Sequence, residues 1–137
     1  MFSAVPKQVI DVIWEDVKAV LDPAVKTAKN KLSIKDVRDY IEKGIYELWV
    51  VMDNTKIVAA ITTRVIEYPE RKALAMDFIG GSRMKEWLPE AQRTLEKFAK
   101  DNNCLHLEGY GRKAWKRWLD KYGWKPDYVA YRMELNG

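Results

Sequence analysis

Acidic and aromatic side chains set among apolar ones mark where this sequence could do chemistry. Asp77 interrupts the apolar run Ala73-Leu74-Ala75-Met76-Asp77-Phe78-Ile79. Burial between such neighbours raises a carboxylate's pKa toward the range of a general base. The competing reading is a structural carboxylate that pairs with a lysine or caps a helix near Ser82. It carries more weight, because structural ion pairs also perturb carboxylates. A second carboxylate, Glu108, lies in Leu105-His106-Leu107-Glu108-Gly109-Tyr110. Strand alternation puts His106, Glu108 and Tyr110 on one face, either a polar crevice wall or a solvated surface. Nothing in the sequence places a nucleophile beside His106. Arg112, Lys113, Lys116, Arg117, Lys121 and Lys125 form a basic cluster with Trp115 and Trp118 interleaved. The cluster suits the phosphates of a small ligand or of a nucleic-acid backbone. A solvated helix face is an equal alternative, since the tryptophans fall at core spacing.

Positioning these residues requires a strand, a glycine turn and a helix, twice over, between Ala73 and Trp124. The first turn is Gly80-Gly81-Ser82, and its helix runs from about Arg83 to Asn102. Pro89 predicts that the regular part of that helix starts only near Trp87 or Leu88. A second strand, Leu105 to Tyr110, is followed by Gly111 and a short basic helix to Tyr122, with Ala114, Trp115, Trp118, Leu119 and Tyr122 facing inward. Two strands joined by such a helix are parallel neighbours with a right-handed crossover. Their carboxyl ends then form a ligand crevice. Upstream, Val9, Ile10, Ile13, Val17, Val20 and Leu21 predict an amphipathic helix broken at Asp22-Pro23. Ser33 with Asp36 predicts a capped helix that stops at Gly44. Ile45–Met52 and Ile57–Ile66 predict a hairpin around Asp53-Asn54-Thr55-Lys56. Tyr128 to Leu135 reads as a closing strand.

The chain has 137 residues, enough for one domain spanning 1–137 with a sufficient core. Its net charge of +4 is too weak to imply nucleic acid by itself. A lone cysteine, Cys104, excludes an internal disulfide and reads as a buried structural thiol. One cysteine and one histidine also argue against a metal site. No apolar run approaches a membrane span and no signal-peptide pattern opens the chain, so a cytoplasmic location is expected.

The element order is two helices, three antiparallel strands, helix, parallel strand, helix and final strand. It resembles the GNAT fold of acyl-CoA N-acyltransferases over nearly the whole chain. Ala114 to Trp124, ending Leu119-Asp120-Lys121-Tyr122-Gly123-Trp124, looks like the closing helix of that family. The stretch Cys104 to Trp115, with Leu48-Trp49-Val50 upstream, is similar to small GNAT-like proteins encoded by bacteriophages. The resemblance implies an α/β fold (α+β in stricter usage) with a mixed, mostly antiparallel sheet flanked by helices. It implies an acetyl-CoA-dependent N-acetyltransferase acting on the amine of a small molecule, a lysine or an N-terminus. Asp77, Glu108 and Tyr110 are then the catalytic candidates, with a carboxylate taking the proton of the attacking amine. Phe78, Gly80, Gly81, Ser82, Arg83 and Arg112 are the candidates for holding acetyl-CoA. The phage resemblance adds host cytoplasm or virion as locations.

Three departures from the family stand out. The family's phosphate loop, Arg or Gln, two residues, Gly, one residue, Gly or Ala, has no counterpart in Gly80-Gly81-Ser82-Arg83-Met84-Lys85. A helix N-terminus after flexible glycines keeps part of the means. Leu119 stands where many members carry a general-acid tyrosine, and Arg112 where an asparagine is frequent. The alternative is therefore a non-catalytic GNAT-like scaffold that serves a phage as a structural or interaction protein. A nucleic-acid-binding role rests on the basic helix alone.

Overall fold

The computed structural model describes residues 1–111 and 115–135. Strand β1 (Phe2–Ala4) leads through a short turn of 3-10 helix into helix α1 (Ile10–Lys26). Helix α2 (Ile34–Glu42) follows, then strands β2 (Glu47–Asp53), β3 (Lys56–Glu67) and β4 (Lys72–Gly81). Helix α3 (Met84–Asp101) crosses to strand β5 (Cys104–Gly109), and a one-turn helix α4 (Lys116–Leu119) runs into a 3-10 turn at Asp120–Tyr122. The strands form one sheet in the order β1-β2-β3-β4-β5. All neighbours are antiparallel except β4 and β5, which are parallel as the crossover helix requires. The fold is thus the expected mixed, mostly antiparallel sheet between helices.

Period-two alternation divides the strands between two cores. On one face, α1 and α2 bury Trp14, Val17, Leu21, Val37 and Ile41 against Leu48, Val50 and Ala60. On the other, α3 buries Trp87, Leu88, Ala91 and Leu95 against Trp49, Ile61, Leu74 and Met76. Ser33 opens α2 with a reciprocal capping box. The Asp36 N–H donates to the Ser33 hydroxyl, and the Ser33 N–H donates back to the Asp36 carboxylate at 2.9 Å.

Three local expectations are corrected. Helix α1 does not break at Asp22-Pro23 but continues to Lys26. The helix-interior proline costs about 3 kcal/mol, which burial of Val17, Leu21 and Val25 on the same stripe offsets. Helix α3 likewise starts at Met84 and carries Pro89 inside it, because Trp87 and Leu88 before it and Ala91 after it are buried. The closing strand is not formed, and residues 125–135 have no regular structure. Their side chains alternate as a strand's would, but Tyr131, Met133 and Leu135 are exposed, and a strand exists only where a ladder partner meets it. Strand β1 is the element that the pattern did not reveal. It is three residues long and held by Phe2 stacking on Trp49 at 5.3 Å between ring centres.

Candidate active site at the end of the parallel pair

Strands β4 and β5 pair from Lys72↔Cys104 to Met76↔Gly109 and no further. Strand β4 continues to Gly81, so among the described residues no strand pairs with its edge from Asp77 onward on that side. A bulge starts this divergence: Thr62 and Thr63 of β3 face Phe78 and Met76, leaving Asp77 as the extra residue on β4. The Phe78 N–H donates to Thr62 Oγ1 at 3.2 Å, and the Ser82 N–H donates to the Val58 carbonyl at 3.0 Å. Both therefore point toward β3. Strand alternation turns the N–H groups of Ile79 and Gly81 to the opposite, open edge.

Beside this edge lies a connected polar cluster. Glu108 accepts hydrogen bonds from Tyr68 Oη at 3.0 and 2.9 Å, from His106 Nε2 at 2.9 Å and from the Tyr110 hydroxyl. Tyr68 stacks on His106 with 6.4 Å between ring centres. Burial opposes the charged form of Glu108, but the hydrogen bonds from Tyr110, His106 and Tyr68 together outweigh it and hold the carboxyl below its ordinary range. Burial and the bond to Glu108 push the Tyr110 phenol well up, so it stays protonated through neutral pH. Asp77 takes a two-pronged bond from Arg64, Nε to Oδ2 at 2.5 Å and Nη2 to Oδ1 at 3.2 Å. Tyr46, buried near this ion pair, is pushed up to about 12, mainly by desolvation.

His106, Glu108 and Tyr110 thus come together on one face, as their alternation requires. Asp77 pairs with an arginine rather than with a lysine or a helix end. Tyr68 and Arg64 complete the cluster and were not singled out from sequence. The signal for Arg64 was present: it interrupts the long apolar strand Ile57–Ile66 as Asp77 interrupts its own, and β3 and β4 are hairpin neighbours. Tyr68 lies 40 positions from Glu108 and carries no such signal.

The glycine turn is filled by the protein itself. A Cβ on Gly80 would sit 2.1 Å from the Val20 carbonyl oxygen of α1. One on Gly81 would sit 2.3 Å from the Val58 oxygen of β3, and Gly81 has φ +121°. Close backbone packing therefore requires both glycines. The Ser82 carbonyl accepts from Trp87 Nε1 at 2.8 Å. Arg83 caps α3 in a left-handed conformation, and its guanidinium binds Asp53 at 2.7 Å and Glu86 at 2.8 Å. Phe78 turns its ring to Tyr46, 6.4 Å away, within the α1–α2 core. Arg112 lies outside the described residues. Trp115, Trp118 and Leu119 are half-buried rather than buried, and Lys116 and Arg117 are exposed.

No protein-family model matches the sequence, and comparison with curated proteins finds no match. Solved structures do match. An aminoglycoside acetyltransferase from an uncultured soil metagenomic sample, in complex with sisomicin, superposes with a TM-score of 0.72 at 11% identity, covering 99% of this chain and 96% of the other. A Trypanosoma brucei acetyltransferase gives 0.68 at 12% identity, over 98% of this chain and 99% of that one. A GNAT family acetyltransferase from Staphylococcus aureus gives 0.66 at 12% identity, over 98% of each. The chain has the GNAT fold. Among the described residues no helix is long and apolar enough to cross a membrane.

Proposed function

We propose that this GNAT-fold chain is an acyl-CoA-dependent N-acyltransferase that moves an acetyl group onto an amine. The observation that carries the reading is the open β4 edge after Met76↔Gly109, flanked by the hydrogen-bonded pair of Glu108 and Tyr110. An acyl-CoA supplies an acyl group activated as a thioester. The open edge fits the thioester end, because the Ile79 and Gly81 N–H groups lie where a developing oxyanion can be held. The amine nitrogen attacks the carbonyl carbon and the C–S bond breaks. Glu108 is charged at neutral pH and takes the proton that the amine loses. Tyr110, still protonated, gives its proton to the departing sulfur and stands in for the tyrosine missing at Leu119. Both Asp77 oxygens are bound by Arg64, so its role is to fix the bulge rather than to accept the proton.

The glycine turn does not fit the diphosphate end, since α1 and β3 occupy the space at Gly80 and Gly81. That mismatch, with Leu119 at the usual acid position, favours a second reading: a non-catalytic GNAT-fold interaction protein of the kind that the phage resemblance implies. Titration of acetyl-CoA to millimolar levels, with melting followed for the parent and for Glu108→Gln, separates the two. A saturable rise in both proteins, with thiol release in the presence of amines only for the parent, is the expected result. At a hundredfold excess over the dissociation constant the stabilisation should be about 2.7 kcal/mol. Absence of any shift in the parent would leave the interaction protein as the better account.

A further inference from the structure

With the glycine turn filled and Arg83 bound to Asp53 and Glu86, the anion-binding means of the α3 N-terminus must lie elsewhere. Among the described residues, two surface depressions stand apart from Asp77, Glu108 and Tyr110. The larger, about 410 Å³ between α1 and α2, mixes both signs of charge: Arg38 pairs with Asp11 and Glu42, Asp39 pairs with Lys43, and Lys18 and Lys35 line it together with Glu15. The smaller, an open cup of about 200 Å³, is lined by Lys85, Arg117, Trp118 and Lys121. It joins the second residue of α3 to α4 and the turn after it. Lys85 Nζ lies 4.6 Å and Lys121 Nζ 5.8 Å from the centre of the Trp118 ring. No ion pair among the described residues engages Lys85, Arg117 or Lys121. Elsewhere on these same helices, Lys97 and Lys116 each find an acid four residues on.

Converging like charges repel, and the negative face of the indole offsets only part of that. An anion in the cup relieves the repulsion, and the positive end of the α3 dipole adds to the attraction. We infer that the cup around Trp118 holds the phosphate groups of a small ligand, with side-chain cations replacing the glycine loop that this chain lacks. The site stands on its own geometry. Its assignment to the diphosphate end of an acyl-CoA rests on the function proposed above. The half-buried state of Trp118 follows from the same arrangement, since the ring is a platform for the cations rather than a core residue.

The test uses the full chain with inorganic pyrophosphate, acetyl-CoA and single-stranded oligonucleotides of increasing length, each titrated at fixed salt by calorimetry. Lys85→Gln with Lys121→Gln removes two cup charges. Lys18→Gln with Lys35→Gln removes two exposed charges from the α1–α2 depression and controls for net charge. Pyrophosphate should bind the parent. The cup variant should weaken it about tenfold or more, while the control stays within about twofold, since lost charge-assisted contacts dominate over screened distant charges. Equal weakening by both variants, or no pyrophosphate binding to the parent, overturns the site. If acetyl-CoA binds but is indifferent to the cup variant, the cup assignment fails while the acyl-CoA reading survives. If pyrophosphate binding needs the cup and acetyl-CoA binds no more tightly, the anion site stands and the acyl-CoA reading falls. Affinity that climbs with oligonucleotide length overturns the small-ligand assignment in favour of nucleic acid.

Discussion

Gly80→Ala tests whether the glycine turn serves packing or a ligand. The new Cβ would lie 2.1 Å from the Val20 oxygen and 3.1 Å from the Leu21 Cα, both backbone atoms of α1. Real Cβ contacts are not shorter than 3.0 Å, so α1 would have to withdraw by about 0.9 Å, the difference between 3.0 and 2.1. A gap of that size forfeits roughly a quarter to a half of the contact energy across it. Val17, Leu21 and Val25 are the fully buried residues of α1 nearest the clash. At about 1.5–3 kcal/mol for each buried side chain, the loss comes to roughly 1–4 kcal/mol, within the usual range for overpacking. The melting midpoint should fall by roughly 4–16 °C for a domain of this size. Gly109→Ala is the matched control, because its nearest atoms would be 3.7 Å away or more. Chemical denaturation of both variants, with acetyl-CoA titrated into each, decides the matter. A Gly80→Ala protein as stable as the parent but unable to bind ligand would refute the packing argument and return the turn to a cofactor role.

Ser33→Ala should cost about 0.5–2 kcal/mol in urea unfolding, because it removes one half of the capping box on α2. Glu108 has a folded-state pKa below its ordinary 4.5, so the stability it contributes is complete above that value and is lost as pH falls through the folded pKa. Glu108→Gln should therefore flatten the acid limb of the stability profile below about pH 4.5, and an unchanged limb would show that its three hydrogen bonds are not kept in solution. Burial pushes the Cys104 thiol up, so thiol reagents at neutral pH should label native protein far more slowly than unfolded protein. Rapid labelling of the native chain would contradict its packing against the α3 core.

The sequence alone determined the elements whose signal is local. Period-three-and-four stripes located α1 and α3, Ser33 with Asp36 located the start of α2, and the Asp53–Lys56 turn located the β2–β3 hairpin. The length of the α3 crossover determined that β4 and β5 are parallel. Alternation along β5 determined that His106, Glu108 and Tyr110 share a face. What the chain could not show locally depended on partners distant in sequence. Pro23 and Pro89 were tolerated because burial of neighbouring side chains outweighs one lost backbone bond. Residues 128–135 carry a strand pattern but meet no ladder. Gly80 and Gly81 looked like a ligand turn until α1 and β3 were brought against them. Tyr110 and His106 reach Glu108 from its own strand, but the third donor, Tyr68, is one that only the sheet brings within 3.0 Å. Trp118 kept core spacing but became the floor of a cationic cup, because α3 delivers Lys85 to its ring. Spacing records which side chains share a face. Which backbone, charge or cavity that face meets is a property of packed distances, and these exist only once the helices have packed on both faces of the sheet.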